Sequence, residues 1–295
     1  MSGAHTGGER RLIVCADDFG LSAGVNAGIM RAHRDGILTD ASLMVNGAAF
    51  PEAVELARST PTLSVGLHLV LVQGHATSAA SDLPQLVDAG GMFGHSAVGA
   101  GLRYFFTPGI RQQLEREICA QLEKYRRTGL ALSHVDGHLN IHMHPTVLGI
   151  LVKRASRYGI RAVRLPREPV TVSLRLDGRQ ALRKVVESVT FKGLIAYAQP
   201  RLETAGIRHP DQMFGLHQSG HVTEHYLRGV IAALPAGVTE VYSHAAVVDD
   251  EARRWRPDDY ESAAELAALT SPRVRAALAA RNIERISYRQ LARSI

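Results

Sequence analysis

Short apolar runs alternate along this chain with longer stretches in which apolar positions recur every three or four residues. The runs read as buried strands and the stretches as amphipathic helices. "RLIVCA" (11–16) predicts a first strand. "VNAGIMRAHRDG" (25–36) predicts a helix with Val25, Ile29 and Ala32 on one face and Gly36 at its C-terminal end. "ASLMVNG" (41–47) follows as a second strand, "PEAVELARST" (51–60) as a helix with Pro51 in its first turn, and "LSVGLHLVL" (63–71) as a third strand. From Gly74 to Gly101 no period is sustained, so a long surface loop is expected. "IRQQLEREICAQLEKYRRTG" (110–129) is the clearest helix, with Leu114, Ile118, Leu122 and Tyr125 on one face and charges on the other. "LSHVDGH" (132–138) predicts a strand and turn, "PTVLGILVKRASRYG" (145–159) a helix and "IRAVRLP" (160–166) a strand. Near the end come a strand "TEVYSHAAV" (239–247), a helix "SPRVRAALAARN" (271–282), a strand "IERISY" (283–288) and a closing helix "RQLARSI" (289–295).

Strands alternating with helices predict parallel βαβ units in an α/β protein. Six or seven such units fit a distorted (β/α) barrel better than an open sheet, although the pattern alone leaves a doubly wound sheet open. The expectation is one domain over 11–295, a flexible tail over 1–10 and a variable insertion around 166–216. In a βα barrel the active site lies at the carboxyl ends of the strands. The unusual residues fall there: Asp17, Asp18, His68, His138, Arg164 and His244.

Composition narrows the picture. At 295 residues and 45% apolar, the chain can bury a substantial core. No run approaches the ~18 apolar residues of a membrane span, and "MSGAHTGGER" lacks the apolar centre of a secretory signal. Two cysteines, Cys15 and Cys119, make no disulfide framework and point to a reducing, cytoplasmic setting. A formal charge of +6 with 5% aromatic residues gives little support to nucleic-acid binding.

"SHVDGHLNIHMHP" holds His134, His138, His142 and His144 close together. Imidazole with carboxylate suits Zn²⁺ and other divalent ions. A single histidine often satisfies a hydrogen bond in a core, but four beside an aspartate are hard to explain as packing, and the spacing does not say which of them bind. "DDFGLS" admits a simpler reading as a helix cap or turn. Adjacent side chains in an extended strand point to opposite sides, however, so one cap cannot use both acids. One carboxylate could hold a divalent ion while the other serves as a base. His68, inside an otherwise apolar strand, joins this set by combination.

"ADDFGLS", "VGLHLVL", "SHVDGHLNIHMHP" and "VYSHAAV", in that order, resemble the motifs of YdjC/ChbG-type carbohydrate deacetylases, over about Leu12 to Tyr288. "LVLVQG", "LRYFFTPGIRQQL", "HMHPTVLGIL" and "RAVRLPREP" are similar to the hopanoid-biosynthesis-associated HpnK branch. The resemblance implies a distorted (β/α) barrel and one divalent metal, Zn²⁺, Mg²⁺ or similar. It implies removal of acetyl from an N-acetylated amino sugar, in the HpnK branch an N-acetylglucosaminyl group on a hopanoid. It implies Asp18, His68 and His138 as metal ligands, Asp17 as general base and His244 as the acid for the leaving amine. Arg164 would orient Asp17 or contact the sugar, and Asp136 would hold a ligand histidine. Asn140 stands where relatives often carry another histidine. His142, four after His138, would share a helical face with it and so competes as third ligand.

"GRQALRKVVESVTFKGLIAYAQPRL", within the expected insertion, combines Leu182, Val185, Val186 and Val189 with Arg179, Arg183, Lys184 and Lys192. Such a helix suits an anionic membrane surface, and equally packing on the barrel or a homodimer contact. The expected function is therefore a metal-dependent N-deacetylase with a lipid-linked amino sugar as substrate, at the inner membrane surface or free in the cytoplasm. A deacetylase of soluble chito-oligosaccharides, or a catalytically silent sugar- or lipid-binding protein on the same scaffold, are the alternatives.

Overall fold

Strand β1 (Arg10–Phe19) is buried at every residue from Leu12 onward, as expected of a parallel strand covered on both faces. It is the spine of the sheet in this computed structural model, which describes residues 8–293. On one side β1 pairs with β2 (Asp40–Leu43), β2 with β3 (Ser64–Leu69) and β3 with β4 (Val135–Gly137). On the other it pairs with β6 (Gly237–Ser243), which pairs with β5 (Gln212–Phe214). The short β7 (Glu284–Arg285) adds to β1 at Arg11 and Leu12. All pairs are parallel. Isolated bridges from Val135 to Val163 and from Ala162 to Arg208 carry the pairing onward from β4. The sheet thus curls on itself as the expected distorted (β/α) barrel.

The crossovers are helical. Helices α1 (Ala23–Asp35) and α2 (Phe50–Ser59) follow β1 and β2, and α3 (Ala97–Phe106) and α4 (Ile110–Arg127) lie between β3 and β4. Then come α5 (Pro145–Tyr158), α6 (Val170–Leu176), α7 (Ala181–Thr204) and α8 (Glu224–Ala233). After β6 stand α9 (Asp250–Trp255), α10 (Ser262–Thr270), α11 (Pro272–Ala279) and α12 (Tyr288–Leu291). Local chemistry sets several ends. Ser22 caps α1 by accepting the Val25 amide, Ser271 caps α11 ahead of Pro272, and Ser287 with Gln290 closes a capping box on α12.

Four expectations change or fall partly outside the described residues. The segment 160–166 is reduced to isolated bridges, because its neighbours pair with it only locally, Val163 with Val135 on one side and Ala162 with Arg208 on the other. The expected loop over 74–101 ends in α3, whose glycines mask its period and which is held by buried Ala100 and Tyr104, the Tyr104 hydroxyl donating to the Leu71 carbonyl. The expected tail over 1–10 falls mostly outside the described residues, and Arg10 already pairs with Gly237. The closing helix is one turn long, and 294–295 also lie outside the described residues.

Asp40 opens β2 with no solvent exposure. One carboxylate oxygen accepts the Tyr288 amide at 3.1 Å and the other has no partner. Burial raises this carboxyl to about 6. Because that exceeds its unfolded value, the fold resists its ionisation: the stability tied to the protonated form is intact below about pH 4 and is lost as pH rises through about 6. Asp40→Asn is expected to be more stable than wild type at pH 8, by on the order of 3 kcal/mol, with the difference vanishing near pH 4. Melting curves across that range check it.

Candidate active site

The two adjacent acids depart from strand alternation. Between Ala16 and Phe19 the β1–β2 register shifts, so three steps along β1 match two along β2. Asp18 takes up the extra residue with φ 66, a left-handed conformation that costs free energy in a non-glycine residue. Both side chains consequently line one cleft of about 610 Å³ at the carboxyl end of the sheet, together with His68, His138 and His244. Gly20, at φ 91, completes the turn, and a Cβ there would lie 3.0 Å from the Met44 carbonyl.

Asp17 and Asp18 have different partners. Arg164, itself buried, donates two hydrogen bonds to Asp17, both 2.8 Å. The same guanidinium reaches Asp136 at 2.8 Å and Glu240 at 2.9 Å. One Asp18 oxygen, Oδ2, accepts from Arg256 at 3.1 and 3.2 Å. The other, Oδ1, is buried without a hydrogen-bond partner, yet His138 Nδ1 stands 3.3 Å and His68 Nε2 3.5 Å away. Burial works against the charge on Asp18, but His138 and Arg256 hold its carboxyl well below the usual range. Asp136 is held low in the same way, by Arg164 and His68 against burial.

His68 is fixed from behind: its Nδ1 donates to ionised Asp136 at 2.8 Å, which leaves Nε2 facing Asp18. Asp136 is held in turn by the Ser42 hydroxyl at 2.6 Å. Burial pulls His68 down, yet the carboxylates of Asp136, Asp17 and Asp18 outweigh it and raise the ring to about 9. Positive charge is favoured at this point.

Three groups among the described residues bring metal-ligating atoms within 4.8 Å of one another. In the Asp17–His68–Asp136 group both carboxylates are engaged by Arg164. In the Cys15–His134–Asp136 group the side chains already bond Ser42, and burial pushes the Cys15 thiol far up. Of the three, Asp18–His68–His138 alone combines an unsatisfied buried carboxylate oxygen with two imidazole nitrogens aimed at it. An unpaired buried oxygen is costly, and a divalent cation bound by all three atoms would satisfy it.

The remaining histidines of the cluster have other work. His134 bonds Ser42 and Ser133 and stacks on Tyr288 with ring centres 3.9 Å apart. His144 caps α5 and bonds the Gly101 carbonyl. His142 does not share a helical face with His138. The turn His138–Met143 is a 3₁₀ segment broken by left-handed Leu139 and Asn140, so the four-residue spacing loses its meaning. Instead His142 bonds the Arg164 carbonyl at 3.0 Å, behind the cleft.

His244 follows β6 with its Nδ1 buried and unpartnered, and its ring lies 4.9 Å from that of Tyr260. Its amide donates to Glu265 and its carbonyl accepts from Arg256 at 2.6 Å. Burial outweighs Asp18 and Asp17 and lowers the ring to about 4, so it is neutral at pH 7. Arg256, Glu240 and Glu265 carry no signal in the sequence. Arg256, one of three arginines in "RRWRPDDY", has no diagnostic spacing, and its link to Asp18 exists only in three dimensions.

Comparison with known proteins identifies the family. The family model described as YdjC-like protein matches residues 11–280. A carbohydrate deacetylase of Brevibacillus brevis is 32% identical over 283 residues, covering 95% of this chain and 99% of that protein. A carbohydrate deacetylase of Geobacillus stearothermophilus is 33% identical over 285 residues, covering 95% and 98%. A crystallised Enterococcus faecalis protein, to which a role in cellobiose-phosphate cleavage has been ascribed provisionally, superposes with a TM-score of 0.75 at 26% identity, over 96% of this chain and 99% of its own. With the family match running through nearly all of the barrel, the chain belongs to the YdjC-like family.

Proposed function

We propose that the protein is a metal-dependent carbohydrate N-deacetylase, and that its substrate is the N-acetylglucosaminyl group of a hopanoid lipid precursor, as in the HpnK branch. The observation that carries the reading is the orphaned Asp18 Oδ1 facing His68 and His138, with Asp17 and His244 on the same cleft. The relatives named as carbohydrate deacetylases support the reaction class. The apolar side chains of Leu102, Phe105, Phe191 and Leu194 in the cleft wall support a lipid-linked substrate over a free sugar.

Asp18, His68 and His138 would hold one divalent cation. Bound there, it would supply Lewis acidity toward the amide carbonyl and make water acidic enough to attack near neutral pH. Asp17 takes the proton from the attacking water, its carboxylate oriented by the two Arg164 hydrogen bonds. His244 delivers a proton to the departing amine. Its ring is neutral at pH 7 in the free protein, so it first takes up a proton from solvent, and the proton left on Asp17 returns to solvent once the C–N bond has broken. Arg164 and Asp136, neither of which lines the cleft, position Asp17 and His68.

Asp136→Asn removes the carboxylate charge that orients and polarises His68, and is expected to weaken divalent-metal affinity about 10–100-fold, read by calorimetric titration. The substrate reading is tested by acetate release from acetylglucosaminyl hopanoid in detergent against di-N-acetylchitobiose. Preference for the lipid conjugate is expected, and preference for the disaccharide would move the protein to a soluble chito-oligosaccharide substrate.

A further inference from the structure

Large apolar side chains left exposed among the described residues are concentrated in two places. Four are on α3, Val98, Leu102, Phe105 and Phe106, with Val98 75% and Phe106 78% exposed. Four more, Leu182, Val185, Val186 and Val189, are on α7, with Leu182 78% exposed. On α7 these residues keep an i, i+3, i+4, i+7 spacing, so they form one stripe. That helix has three faces. Lys184, Ser188, Ile195 and Ala198 are buried, Arg183, Glu187, Thr190 and Leu194 border the cleft, and the apolar stripe faces outward. An outward face of this kind is the reverse of ordinary amphipathicity and marks an interaction surface.

Two observations identify what it meets. The α3 part of the apolar surface is continuous with the cleft, because Val98, Leu102 and Phe105 are both exposed and part of its wall, and α7 borders the same cleft through Arg183, Thr190 and Leu194. A second copy seated there would therefore cover the entrance to the cleft. The surroundings are also basic. Arg175, Arg179, Arg183 and Lys192 are exposed on and beside α7, while Asp177 pairs with Arg179 and Glu187 with Arg183 and His217. The only charge on α3 is Arg103. Two such faces would repel each other, whereas an anionic lipid surface attracts them.

We infer that α3 and α7 dock the protein on an anionic bilayer, with the mouth of the cleft turned to the lipid surface. The inference rests on the lipid-linked substrate proposed above and adds the way that substrate is reached: the apolar aglycone passes from the bilayer along Val98, Leu102 and Phe105 without crossing water. Phe106, Leu182, Val186 and Val189 are outside the cleft wall, so their role is contact with lipid alone.

The test is flotation of the full chain with vesicles of phosphatidylcholine, with and without phosphatidylglycerol, for wild type and for Phe106→Gln combined with Leu182→Gln and Val189→Gln. Wild type is expected to float with the anionic vesicles and less so at high salt. The triple variant should lose about tenfold or more of its partitioning, with acetate release from di-N-acetylchitobiose unchanged and the circular dichroism spectrum retained. Failure of wild type to float, or equal flotation of the variant, would overturn the docking. So would a wild-type dimer in sedimentation velocity that the variant converts to monomer. If flotation fails while acetylglucosaminyl hopanoid in detergent is still preferred, the docking falls and the substrate reading stands. Flotation together with preference for the free disaccharide would keep the docking and overturn the lipid-linked substrate.

Discussion

Asp18→Asn is expected to abolish stoichiometric divalent-metal binding and reduce acetate release to background. Asparagine is among the residues that tolerate the left-handed backbone found at this position, φ 66, so the turn survives the change. The variant therefore isolates the chemistry of the carboxylate. The Oδ1 atom that faces His68 and His138 loses its charge, and Arg256 loses its anionic partner. The loss of affinity should exceed the ~10–100-fold expected for an outer partner such as Asp136. Equilibrium dialysis with Zn²⁺ reads it directly. A variant that still binds one equivalent tightly would show that Asp18 is not a ligand.

Asp17→Asn should separate from it. Its carboxylate is engaged by Arg164 and is not one of the atoms grouped with Asp18, so one equivalent of metal is expected to remain bound. Without the base, kcat should fall about 10³-fold with little change in KM. Breaking one arm of a buried ion pair also destabilises the fold. Arg164 keeps Asp136 and Glu240, so the cost should stay below the roughly 3–5 kcal/mol of a fully orphaned charge. Thermal melts alongside the kinetics distinguish lost chemistry from lost protein. If Asp17→Asn lost the metal and Asp18→Asn kept it, the assignment of the two acids would be reversed.

These contrasting expectations trace to a local feature that the sequence does not display. The pattern "LIVCADDFG" identifies a buried strand ending in two acids, and chemistry-bearing residues in apolar strands draw attention to Asp17, Asp18, His68 and His244. The alternation rule then sends the two acids to opposite faces. The register shift between Ala16 and Phe19 is what brings them together, and a bulge carries no residue signature of its own. The same limit applies to "HLNIH", where helical spacing makes His142 a rival of His138. The left-handed pair Leu139 and Asn140 separates them, and a leucine gives no warning of it. Helix α3 is hidden for another reason: "AVGAGLRYFF" has its apolar residues on the outside and glycines within, so neither its period nor its propensity stands out. Arg256 and Glu240 are set by folding alone, since their partners Asp18 and Arg164 are remote in sequence.

On the function proposed above, a cation held by Asp18, His68 and His138 is required for removal of acetyl from an amino sugar. Acetate release from acetylglucosaminyl hopanoid is to be measured on chelated protein before and after one equivalent of divalent ion is returned. Activity is predicted to vanish on chelation and to return at a stoichiometry of one. Turnover that persists undiminished in the chelated protein would contradict it.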